Sequence, residues 1–91
     1  MELDLTVRPL DPTIIINEEI DLRGEVCPYT FVKSKLALEE MEVGQVLRIV
    51  LDHLPAVDNC PRSFYNEGQT IVGVEPVSET DWIVAVRKVH D

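Results

Sequence analysis

Basic residues are scarce in this chain: eight lysines and arginines stand against seventeen aspartates and glutamates, a formal charge of −9 over 91 residues. Neutralising a phosphate backbone takes a basic footprint, so this balance argues against nucleic-acid binding. It fits either protein partners with basic docking surfaces or simply an acidic, well-solvated exterior. Cysteine is nearly absent as well. The two present, Cys27 and Cys60, are too few and too far apart for a disulfide-stapled secreted scaffold, and they form neither a CxxC redox pair nor a zinc-ligand pattern. No apolar run approaches a membrane span, and the first residues carry Glu2 and Asp4 in place of a basic targeting region. Repeats, low-complexity tracts and an interdomain linker are all missing. These absences leave one small soluble domain, expected in the cytoplasm, that can bury a core without staples by a narrow margin.

What is present centres on Asp21–Lys35, DLRGEVCPYTFVKSK. The stretch reads as the end of a strand, a tight turn and the start of a helix. Gly24 permits a turn that a side chain would hinder. Pro28 has the fixed φ suited to a first helical position, where a missing N–H costs nothing. Cys27 is then expected at the N-cap, facing the free amides of the first turn. Those amides and the helix dipole favour negative charge, so a thiol there ionises more readily than a free cysteine. The functional reading is a nucleophilic or sulfur-carrying cysteine, and the bland one a small apolar residue capping a helix.

In chain order, residues 1–17 look like an extended leader carrying Pro9 and Pro12, and residues 18–91 like the single folded domain. Alternation of Ile20 and Leu22 with Asp21 and Arg23 predicts a first strand over about residues 18–23. A helix is expected over about residues 28–42, with Phe31, Ser34, Ala37, Leu38 and Met41 inward, Val32 and Leu36 on another side, and Gly44 as its stop. Val46–Asp52 is β-branched and apolar, a central strand. The second helical segment is expected as an opening turn, Ala56–Asn59, followed by a helix begun by Pro61 and stopped at Gly68, with Phe64 and Val57 in the core. Thr70–Glu75 and Trp82–Val89 form an antiparallel hairpin. The order β-α-β-α-β-β makes an α+β protein: a two-layer α/β sandwich in which a four-stranded mixed sheet carries two helices on one face.

That order, together with DLRGEVCPYT, Gly44 after helix one, the DNCPRSF segment and Glu67-Gly68, resembles the TusA/SirA/YeeD family of small sulfur carriers over nearly all of residues 18–89. The resemblance implies a sulfurtransferase-type persulfide carrier that needs no metal or organic cofactor. Cys27 would be the persulfide cysteine and Pro28 the first proline of the family's CPxP motif. A cysteine desulfurase or rhodanese would donate sulfane sulfur, and a downstream protein serving tRNA thiolation, cofactor synthesis or sulfur metabolism would accept it. The sequence departs from the motif at Thr30, giving CPYT. A threonine there restores a backbone N–H and adds a hydroxyl, so Thr30 is expected to give the Cys27 sulfur an additional hydrogen-bond partner.

In a parallel β-α-β unit the strand carboxyl ends and helix N-termini share one edge, which places Cys27, His53, Cys60 and Arg62 in one neighbourhood. Cys60 precedes Pro61 and can cap the second helix and resolve Cys27, or be a small buried residue. His53 can act as a base toward Cys27 or simply end a strand. Arg23 can stabilise the Cys27 thiolate or pair with Asp21, and Arg62 can do similar electrostatic work or belong to a solvated helix surface. The competing function is a non-catalytic regulatory or interaction module whose cysteine is redox-sensitive or structural.

Overall fold

The computed structural model describes residues 10, 13–25 and 29–90. Six elements follow in order: β1 (Glu18–Asp21), α1 (Tyr29–Glu39), β2 (Val46–Leu51), α2 (Leu54–Asn66), β3 (Thr70–Pro76) and β4 (Trp82–Arg87). The sheet order is β1-β2-β4-β3. β1 runs parallel to β2, with Ile20 opposite Ile49. β4 is antiparallel to both of its neighbours, β2 and β3. This is the mixed sheet expected from the sequence, and both helices pack on one face of it.

Period-two alternation separates the two faces of the sheet. Leu47, Ile49 and Leu51 of β2 join Val84 and Val86 of β4 and Val74 of β3 under the helices. Leu38 of α1, Met41 just beyond its end, and Ala56, Val57, Cys60 and Phe64 of α2 meet them from above. Phe31 and Phe64 join the two helices edge to face, with ring centroids 5.1 Å apart and planes at 69°. Such a pair contributes about 0.5–1.5 kcal/mol beyond its buried area.

Two expectations about helix boundaries are corrected. Gly44 does not stop α1, which ends at Glu39. Instead Gly44, at φ +97°, turns the chain into β2 and donates its N–H to the Lys88 carbonyl at 2.6 Å. The helix end is held by Lys88, whose buried ammonium donates to the carbonyls of Glu39 (3.1 Å) and Met41 (2.7 Å). The second segment is one continuous helix starting at Leu54, with Pro55 in the opening position and Pro61 inside it. Pro55 meets the first-turn requirement that had been assigned to Pro61, and the packing of Val57, Cys60 and Phe64 on the sheet outweighs the hydrogen bond Pro61 cannot make. After the helix, the chain is laced back on itself: Gln69 Oε1 accepts from the Val89 N–H at 2.8 Å, and a His90 ring nitrogen lies 2.7 Å from the Glu67 carbonyl oxygen.

Candidate functional site

The candidate site lies where β1 and β2 end side by side. Leu22 extends the pairing by donating to the Val50 carbonyl at 2.9 Å, and the Glu25 N–H closes a turn onto the Leu22 carbonyl at 3.1 Å. Gly24 sits in that turn at φ +89°, a conformation that L side chains rarely adopt. Its N–H donates to Asp52 Oδ1 at 2.9 Å, tying the turn after β1 to the residue after β2. Val26, Cys27 and Pro28 lie outside the described residues. The chain resumes at Tyr29 as α1, so the expected nucleophile and motif proline stand between a fastened turn and a helix N-terminus.

Thr30, the second residue of α1, is fully buried. Its hydroxyl oxygen lies 3.7 Å from the sulfur of Cys60 on α2, within reach of a thiol donor. Below it, the Ser34 hydroxyl donates to the Thr30 carbonyl at 2.7 Å, a back-bond within the helix. The residue that departs from CPxP therefore joins the two helices across the core. Its expected partner, Cys27, lies outside the described residues. The pairing of Thr30 with Cys60 was missed from sequence. No local signal announces it, because it depends on how the two helices cross.

Cys60 does not cap α2: it sits in the middle of that helix, fully buried against the sheet. The N-cap position belongs to His53, extended at φ −103°, ψ 106°, with no capping bond from its side chain. The His53 carbonyl accepts the first helical bond, from Ala56 at 2.9 Å. Arg62 forms an exposed pair with Asp58 one turn earlier, Nη2 to Oδ1 at 2.9 Å. Arg23 pairs with Asp21, Nη2 to Oδ2 at 2.8 Å, and reaches Asp81 in the β3–β4 loop at 3.3 Å. Hydrogen bonds from the Arg23 side chain, then from its backbone N–H, hold the Asp21 carboxyl at about 2. The same bond to Asp21 raises Arg23 above its ordinary value.

Around this site the electrostatics are simple. The first turn of α1 carries no acidic side chain, so none of its own groups opposes an anion at the helix N-terminus. Glu25, just upstream, is paired with Lys33. Tyr29, Val32 and Leu36, spaced i, i+3 and i+7, are 60%, 47% and 56% exposed. They form an apolar stripe along the outside of α1 that starts two residues after Cys27. Among the described residues no group of three or more His, Cys, Asp and Glu is placed to hold a metal, and no helix is long and apolar enough to cross a membrane.

Comparison with known proteins gives a consistent picture. The family model described as sulfurtransferase TusA matches residues 18–88. A candidate sulfur carrier protein of Archaeoglobus fulgidus is 50% identical over 72 residues, covering 79% of this chain and 82% of that one. One of Methanocaldococcus jannaschii is 35% identical over 75 residues, covering 82% of this chain and 99% of that protein. The crystal structure of a SirA-like protein from Desulfitobacterium hafniense superposes with a TM-score of 0.70 at 22% identity, covering 80% of this chain and 99% of that one, a likeness of fold. With the family match spanning both helices and all four strands at 50% identity to one relative, this chain belongs to the TusA sulfurtransferase family.

Proposed function

We propose that this protein is a cytoplasmic sulfur carrier that holds sulfane sulfur as a persulfide on Cys27. What supports the reading is the place of Cys27 in the sequence, two residues ahead of α1, a helix with no acid in its first turn, within a chain of the TusA family. The Cys27 thiolate attacks the terminal sulfur of a donor persulfide. The donor's S–S bond breaks, its own sulfur leaves as a thiolate, and Cys27–S–S⁻ is formed. An acceptor thiolate then attacks the outer sulfur, and Cys27 leaves as a thiolate in turn. Both steps are redox-neutral exchanges needing no cofactor. The free amides of α1 stabilise the anion before and after each transfer. The bond from the Gly24 N–H to Asp52 fixes the turn that precedes Cys27 in the sequence.

The donor is a cysteine desulfurase or rhodanese-type protein, and the acceptor a protein of tRNA thiolation, cofactor synthesis or sulfur metabolism. The stripe of Tyr29, Val32 and Leu36 is the surface on which these partners dock, because it begins two residues after Cys27 in the sequence and is exposed. The protein turns over as an enzyme only in their company.

Intact mass after mixing with a desulfurase and cysteine tests this reading, beside Cys27→Ala and Cys60→Ala variants. A gain of one sulfur, reversed by reductant and lost only in Cys27→Ala, is expected. Loss in both variants would bring Cys60 into the exchange. Absence of any gain from desulfurase, polysulfide or thiosulfate-charged rhodanese would sink the carrier reading in favour of a regulatory module with a structural cysteine.

A further inference from the structure

Part of the sheet face that carries no helix is as dry as the core. Val46 of β2 and Ile83 and Ala85 of β4 are 2%, 1% and 0% exposed, and Gly73 of β3, opposite Ala85, is buried beside them. Both helices lie on the other side, so this cover comes from elsewhere. The described residues that reach it precede β1. Leu10 lies so close to Gly73 that a Cβ at that glycine would meet the Leu10 Cβ and Cδ1 at 3.0 Å. Asn17 is fastened to Val46 in both directions, its N–H donating to the Val46 carbonyl at 3.0 Å and its Oδ1 accepting from the Val46 N–H at 2.9 Å. Between them Ile14 and Ile16 are half-buried and Ile15 is 77% exposed. Asn17 continues β1, which stands three places from β3 in the sheet, so Leu10 and Asn17 are separated by three strand spacings, about 14 Å. It is a strap laid across the face.

This strap stands outside the family domain, which begins at residue 18. The Methanocaldococcus protein and the Desulfitobacterium chain are matched almost end to end by about four-fifths of this chain, so they have no counterpart for most of the N-terminal segment. The face beneath is apolar at its floor and carries Arg48 of β2 and Arg87 of β4 in the same alternation. The Arg48 guanidinium pairs with Glu19 at 3.3 Å, while its Nε is buried with no hydrogen-bond partner among the described residues. The N-terminal segment offers the complementary chemistry in sequence: Leu3, Leu5 and Leu10 with Glu2, Asp4 and Asp11.

We propose that the helix-free face is a self-docking surface, which this chain covers with its own N-terminal segment, held through Leu10 and Asn17, in place of a second copy of the domain. The proposal is independent of the sulfur chemistry. Its test is the mass in solution at tens of micromolar, by light scattering and sedimentation, of the full chain and of a variant lacking residues 1–12. The full chain is expected to be a monomer of 10.3 kDa, and the truncated chain to double its mass. Gly73→Ala keeps the whole sequence but intrudes on Leu10, and is expected to shift the full chain part of the way to dimer. Leu10→Asp carries the measurement if circular dichroism shows that the truncated chain does not fold. A full chain that is already a dimer, or a folded truncated chain or Leu10→Asp variant that stays monomeric, overturns the proposal. No sulfur donor is present in these measurements, so their outcome is separate from that of the carrier reading.

Discussion

Replacing Lys88 by methionine isolates one buried charge. Lys88 is 4% exposed, and its ammonium serves the carbonyl of the last residue of α1, Glu39, and that of Met41 just beyond. Its backbone bonds, N–H to the Gln45 carbonyl at 2.9 Å and carbonyl from the Gly44 N–H, do not depend on the side chain. Methionine keeps much of the volume and supplies no donor. Hydrogen bonds from a charged group contribute about 1.5–3 kcal/mol each, and the favourable position at a helix C-terminus about 0.3–1 kcal/mol. Against this stands the desolvation of the ammonium, which methionine relieves. A net loss of about 2–4 kcal/mol follows, a large share of the roughly 5–14 kcal/mol expected of a domain this size. Urea unfolding followed by circular dichroism reads it directly. With a slope near 1 kcal/mol per molar, the midpoint falls by about 2 M or more. Sulfur uptake by the folded fraction should be unchanged, because Lys88 holds the C-terminal end of α1, while Cys27 precedes its N-terminal end in the sequence. A loss below about 0.5 kcal/mol would refute the view that this ammonium secures the helix end.

Four further outcomes are expected. Thr30→Val removes the hydroxyl near Cys60 at nearly constant shape and lowers stability by about 0.5–1.5 kcal/mol in the same assay; an unchanged midpoint would show that the contact contributes nothing. Asp21→Asn probes a carboxyl held at about 2 by Arg23. Because the folded value lies below the unfolded one, near 3.9, the stabilisation is present above that value and is lost as pH falls through about 2. The difference from wild type in thermal midpoint should therefore shrink steadily below about pH 4, be largely lost by about pH 2, and shrink in 1 M salt, as the pair is exposed; a difference as large at pH 2 as at pH 7 would contradict the assignment. Gly68→Ala places a methyl at φ +87° with its Cβ 2.6 Å from the His90 ring, costing about 1–2 kcal/mol from the backbone alone, with any excess relieved by adding His90→Ala. Val32→Glu should leave stability within about 0.5 kcal/mol while slowing donor-to-Cys27 transfer in a stopped mass-spectrometric time course; an unchanged rate would remove the α1 stripe as a docking surface.

The sheet was legible because its signals are local. Val46–Leu51 is β-branched and nearly continuous, and Trp82–Val86 is an unbroken apolar run bounded by the polar turn before it and Arg87 after it. The inward face of α1 followed from helical spacing at Ser34, Leu38 and Met41. Helix ends were less legible, since they are decided by partners distant in sequence. Nothing near Glu39 announces that Lys88, 49 residues later, holds the end of α1. Proline rules placed a boundary at Pro61, where the apolar surface of α2 carries the helix straight through. At the site, local chemistry pointed to Gly24, and its positive φ agrees. Of the two readings of Arg23, the ion pair with Asp21 is formed, with Asp81 as a second partner that only the fold brings near. The partnership of Thr30 with Cys60 depends on how two helices cross, which one-dimensional spacing does not encode.

The two margins of the sheet are guarded in different ways. β1 is four residues long, and three of them are acidic: Glu18, Glu19 and Asp21. An incoming strand would meet a row of like charge. At the other margin, the register of β3 shifts between Ile71 and Gly73, and the strand closes on Pro76, which has no N–H to offer. A bulge and a proline interrupt the regular ladder that another backbone needs in order to zip alongside. Lengthening the sheet by edge-to-edge stacking, the route by which small β-rich chains commonly polymerise, is thereby obstructed on both sides. Encounters are left to the broad surfaces, and a domain that must meet donor and acceptor in succession can do so without being captured by its own kind along an open seam.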